Sequence, residues 1–129
     1  MLFLTFNSQE ERREYGGSKF IEMQFCKLPT GTKTKDIVAV SSIKNWQNDS
    51  LYIYDEDAFY KEYSRIFDGG IYNNLKSGMV DIYGINYYAP SCIDSIVEKI
   101  CKEKPVDHKS LLEWLDKAIK YNGFYILGI

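Results

Sequence analysis

The last six residues, "FYILGI" from Phe124 to Ile129, constrain the fold more than any other stretch. A strand this apolar on both faces belongs in the interior of a sheet or under cover on both sides. Left exposed, it would be a site of aggregation. The rest of the chain therefore has to supply flanking strands and helices to pack over them.

Candidate strands are readable from periodicity. Leu2 to Phe6 is short and apolar and reads as a first strand. From Phe20 to Cys26, Ile21, Met23 and Phe25 alternate with Glu22 and Gln24, the period of a strand with one face in the core. Ile37 to Ile43 is β-branched and reads as a central strand. Leu51 to Tyr54 and Met79 to Ile85 are further strands, with Gly84 marking a bulge or a close approach by another element. "QEERREYGGSK" reads as a loop or a short helical turn.

Helices are marked by caps and stripes. Asp55 is placed as an N-cap, with Glu56 and Asp57 in the first turn, where the helix dipole favours acids. Phe59, Tyr63, Ile66 and Phe67 follow at helical spacing, and Gly69-Gly70 is expected to stop that helix. A second helix follows Pro90, with Ser91 and Asp94 as its capping box and Ile93, Ile96, Val97 and Ile100 as its stripe. Pro105 breaks the chain. Asp107 caps a third helix with the stripe Leu111, Leu112, Leu115, Ala118 and Ile119, and Gly123 suits its left-handed C-cap. The expected fold is α+β, a mixed or mostly antiparallel sheet with about three helices packed on it. At 129 residues, one domain spanning 1–129 is expected.

Composition narrows the function. A hydrophobic share of 45% with eleven Tyr and seven Phe supports a packed core and excludes a disordered chain. A formal net charge of −2 argues against direct nucleic-acid binding, which needs a basic surface to release counterions. Tyr52, Tyr54 and Tyr83 on strands could stack on bases, but no basic RNA-binding motif accompanies them. Cys26, Cys92 and Cys101 form no CxxC and no even set, which points to a reducing compartment. The start lacks the pattern of a signal peptide, and no run reaches membrane-span length. A cytoplasmic protein without membrane contact is expected.

Catalytic chemistry finds little support. His108 is the one histidine and reads as a helix-start residue, so any nucleophile–base pair would have to use it. Cys92, in the first turn of its helix, is the candidate nucleophile, against the plainer reading of a small core residue. There is no metal-ligand spacing and no Gly-rich phosphate loop, and no cofactor is expected. "DIYGINYYAP", Asp81 to Pro90, is dense in tyrosine. One of Tyr87 and Tyr88 is expected to plug the core edge. The other is a candidate surface anchor, with Asp55, Glu56, Asp57 and Asp81 as an acidic surface for a basic protein.

"VDIYGINYYAP", "EKPVDHKSLLEWLDKA" and "YNGFYILGI" together resemble a family of small bacterial immunity proteins of contact-dependent growth inhibition and related polymorphic toxin systems. The resemblance covers Val80 to Ile129. It implies a non-enzymatic antitoxin that binds a cognate toxin domain, often a basic nuclease, in the cytoplasm and neutralises it stoichiometrically. It carries over no catalytic residue. Two other readings stand beside it, a small enzyme with a site near Cys92 and His108, and a general protein-binding adaptor.

Overall fold

The C-terminal strand lies in the middle of the sheet. The computed structural model describes residues 1–17 and 19–128. Its strands are β1 (Ile21–Phe25), β2 (Leu51–Ile53), β3 (Asp68–Tyr72), β4 (Ser77–Met79), β5 (Ile85–Tyr88) and β6 (Phe124–Leu127). They form one sheet in the order β2-β1-β6-β5-β3-β4, and every pairing is antiparallel. β6 is bonded on both edges: Phe124 faces Phe25 and Tyr88, and Ile126 faces Met23 and Asn86.

Both faces of the sheet are covered, as an all-apolar β6 requires. The helices are α1 (Gln9–Gly16), α2 (Thr34–Ile37), α3 (Glu56–Tyr63), α4 (Pro90–Glu103) and α5 (His108–Ala118). Phe59 and Tyr63 of α3, Ile93, Ile96 and Ile100 of α4, and Leu111, Trp114 and Leu115 of α5 share one core with Met23, Phe124 and Ile126. Three helices thus build the main core, as periodicity predicts, while α1 and α2 lie elsewhere. On the opposite face Ile37 and Val38 pack with Cys26, Tyr87 and Tyr125, and Phe6, Phe20 and Tyr52 form a third cluster.

Several local expectations hold and several fail for stated reasons. Asp55 caps α3, its Oδ1 accepting the Ala58 N–H at 3.0 Å. "QEERREYG" is a helix, capped by Ser8, whose Oγ accepts the Glu11 N–H at 3.1 Å. Ile37 to Ile43 is not a strand. It contains the end of α2 and a 3-10 turn at Val40–Ser42, because both edges of β6 are already taken by β1 and β5. Ile37 and Val38 instead cover the sheet, with the Tyr125 hydroxyl donating to the Ile37 carbonyl at 2.7 Å.

Met79 to Ile85 is likewise interrupted. β4 and β5 pair with opposite sides of β3, so residues 80–84 have to leave the ladder between them. Gly69-Gly70 lies within β3 rather than stopping a helix, and α3 ends at Tyr63. Leu2 to Phe6 contributes one bridge, Leu4 to Tyr52, and no full strand. The N-cap of α4 is Ala89, without a side-chain cap, so Ser91 and Asp94 do not form the box. Pro90, whose fixed φ suits a first turn, starts that helix. Asp107 stands at the α5 N-cap, but its carboxylate serves other groups: Oδ2 accepts the Phe3 N–H and Oδ1 the Ser110 hydroxyl, both at 2.9 Å. Ile119 is exposed, while Trp114 takes its place in the buried stripe. Gly123 has φ +79° but lies in the turn before β6, not at the C-cap of α5. No helix among the described residues is long and apolar enough to cross a membrane.

Candidate functional site

The candidate acids meet at the start of α3. Tyr54 leaves β2 with its ring half exposed, and Asp55, Glu56 and Asp57 follow at once. Asp55 spends one oxygen on its cap, whereas Asp57 points to solvent. These acids, with Tyr54 and Lys19, line a groove of 360 Å³. Asp57 also borders a second groove, of 380 Å³, whose far wall is the 80–83 segment with Asp81 and Tyr83. Tyr60 of α3 completes it. Asp57 and Asp81, 24 positions apart in the chain, are thereby brought to one surface.

The far wall is held by a buried amide. Asn86 on β5 is fully buried, and its Oδ1 accepts the Asp81 N–H at 2.8 Å. Its Nδ2 donates to the carbonyls of Asp81 at 2.8 Å and Ile126 at 2.9 Å. The Asp81 carboxylate then accepts the Tyr83 N–H at 3.0 Å, the Asx-turn arrangement that short acids favour. Gly84 lets the Asp81 carboxylate fold close to the turn, since a Cβ there would lie 2.6 Å from Asp81 Oδ2 and push it aside. The Gly128 N–H closes the turn onto the sheet by donating to the Gly84 carbonyl at 2.8 Å. Tyr83 is left 70% exposed at the tip.

Charge on this surface is only partly compensated. Among the described residues the ion pairs are Lys27–Asp49 and Arg65–Glu103, and neither involves these acids. Lys61 lines the second groove and Lys19 the first, so four carboxylates face two ammonium groups.

Tyr87 and Tyr88 do not belong to this surface. Both are buried, on opposite faces of the sheet. The Tyr87 hydroxyl donates to the Asn122 carbonyl at 2.7 Å and its ring packs on Tyr125. Tyr88 stacks on Phe124 with centroids 5.0 Å apart and donates to the Phe67 carbonyl at 3.3 Å. Burial pushes both phenols well above the ordinary tyrosine range. Their role as surface anchors is therefore replaced by a structural one. Alternation along β5 put them on different faces, but both faces of the sheet are covered.

The tyrosines that do reach solvent here are Tyr54, Tyr60 and Tyr83. Tyr60 carried a weak signal, since it sits on α3 beside the buried Phe59 and off the inward stripe. Tyr52 is fully buried against Trp46, so Tyr52, Tyr54 and Tyr83 form no stacking platform for bases.

Cys92 and His108 are not assembled into a pair. Cys92 is half-buried at the margin of the main core. Roughly 18 Å of helix rise separates it from Lys104, the C-cap of α4, and His108 lies beyond. His108 Nδ1 instead sits 3.1 Å from the Pro105 carbonyl. Among the described residues no group of three His, Cys, Asp or Glu side chains could hold a metal ion. The acidic, tyrosine-walled surface is thus suited to attracting and packing against cations. The chain matches no family model, no curated protein and no solved structure.

Proposed function

We propose that the protein is a bacterial immunity protein of the contact-dependent growth inhibition or polymorphic toxin type, acting in the cytoplasm. It neutralises a cognate toxin domain by stoichiometric binding. The reading draws on the resemblance of Val80 to Ile129 and on one observation above all, the pair of adjoining grooves that share Asp57. Exposed tyrosine next to unpaired carboxylate supplies anchor area and a charge that steers a basic partner. A toxin that cleaves nucleic acid carries the complementary basic surface.

The test is co-expression with the protein encoded immediately upstream. Protection of the cells, together with a one-to-one complex on co-purification, is the expected result. Unprotected cells and separate elution would sink the reading.

A further inference from the structure

Aromatic rings in this protein are almost all paired with one another. Tyr15, Tyr52, Tyr54, Tyr63, Tyr87, Tyr88, Tyr121 and Tyr125 each have a ring neighbour. Among the described residues Tyr60, Tyr72 and Tyr83 have none, and two of these three line the same groove. Neither Tyr60 nor Tyr83 has a cation over its ring either, although three such contacts form elsewhere. Tyr60 is 41% exposed and Tyr83 70% exposed. Both rings therefore keep part of their surface in solvent, and the Tyr60 hydroxyl donates to Met79 Sδ at 3.2 Å.

The same groove carries two carboxylates without an ion-pair partner, Asp57 from α3 and Asp81 from the turn that Asn86 holds. Lys61 also lines it but pairs with neither acid. A solvent-facing ring next to a carboxylate without an ion-pair partner favours a flat cation. Guanidinium lies on the ring and presents N–H groups in its own plane to the carboxylate, which an ammonium group cannot do in one geometry. At 380 Å³ the groove is at the small end of ligand clefts, the scale of one long side chain.

We infer that the groove between α3 and the 80–84 turn receives an arginine side chain of the basic partner, held by Tyr60 and Tyr83 and by Asp57 and Asp81. The inference rests on the reading of this face as the partner-binding surface. It names the residue type that the face selects.

The experiment titrates the isotope-labelled protein with acetyl-Gly-Arg-Gly-amide and, in parallel, with its lysine and citrulline counterparts, followed by amide chemical shifts. The arginine peptide should shift the signals of residues 57–61 and 80–84 and bind roughly tenfold tighter than the lysine peptide, the size of a partly desolvated cation–π contact. Citrulline, flat but neutral, should not saturate. Asp57→Asn with Asp81→Asn should abolish the shifts. Asn at 81 can still accept the Tyr83 N–H, so the turn survives, and an unchanged spectrum outside the groove reports this. Tyr83→Ala, at an exposed tip, should weaken binding similarly. Shifts spread evenly over the surface, equal binding of arginine and lysine or citrulline, or wild-type binding by the double variant would overturn the inference. No toxin takes part, so failed protection with intact arginine binding would overturn the proposed function alone. Protection without arginine selectivity would overturn only the pocket.

Discussion

Asn86 holds Asp81 by both of its backbone polar groups. It accepts the Asp81 N–H and donates to the Asp81 carbonyl, each at 2.8 Å, while the same amide nitrogen donates to Ile126 on the central strand. A buried side chain of the sheet thus sets the position of an exposed acid at the candidate site. The cost of that arrangement is concentrated in one residue. Asn86→Ala removes the side-chain partner of three backbone groups, the half-buried Asp81 N–H and carbonyl and the buried Ile126 carbonyl, and is expected to cost about 2–4 kcal/mol. Chemical denaturation reads the loss, and amide exchange of residues 81–84 should rise more than that of α4.

At Gly123 the neighbouring backbone leaves no room for a side chain. Its φ is +79°, and a Cβ would collide with the Tyr88 carbonyl. Gly123→Ala combines left-handed strain with that collision and is expected to destabilise by more than about 1 kcal/mol. A thermal melt of the purified variant checks it.

Glu22 gives the protein a pH dependence of predictable sign. Its carboxylate is buried among Gln24, Ser50 and Tyr52, and loss of solvent raises its pKa above the ordinary value of 4.5 despite those hydrogen bonds and the nearby Arg12. A folded-state pKa above the unfolded one means that the folded chain holds the proton longer. The stability linked to this proton is therefore complete below pH 4.5 and lost as pH rises through the folded pKa. Glu22→Gln, which keeps an acceptor for Ser50, should be more stable than the wild type at neutral pH and should flatten this limb. Denaturation midpoints between pH 4 and 8 that run parallel for the two proteins would contradict it.

The buried tyrosines should matter for stability and not for recognition. Tyr87→Phe removes one hydrogen bond, to Asn122, and is expected to cost about 1 kcal/mol. If the proposed function holds, its affinity for the cognate toxin domain should match that of the wild type in a binding titration. A large loss of affinity at unchanged stability would return Tyr87 to the interface.

The exposed acids should behave in the opposite way. Asp57→Lys with Asp81→Asn should slow association with a basic toxin domain by about tenfold at low salt, with the difference shrinking as salt screens the surface. The loss of an acid from the first turn of α3 limits the effect on folding to about 1 kcal/mol. Stopped-flow association and a melt, on the same preparations, separate the two.

The fold was legible where the signal was local or periodic. The Asp55 cap follows from residue type next to an apolar stripe, and α4 and α5 follow from theirs. Ile37 to Ile43 misled because β-branched residues suit any buried surface, and nothing local says that the edges of β6 are already occupied. Of the candidate site, Asp55, Glu56 and Asp57 were legible as the acidic start of a helix and, with Asp81, as an acidic surface for a basic partner. Tyr54 and Tyr83 were legible as rings that a strand could present, but Tyr60 was not, because it stands alone beside the apolar stripe of its helix.

By itself the sequence determined that the last strand had to be interior, that helices had to cover a sheet, and where three of those helices run. These follow from apolar periodicity and capping, which act over a few residues. Only the tertiary structure decided which tyrosines face water and that Asp57 and Asp81 share a groove. Alternation along a strand assigns side chains to two faces, but which face stays open depends on what packs over it. Here both faces of β5 are covered, and the open rings lie on a helix and on a turn that Asn86 pins in place.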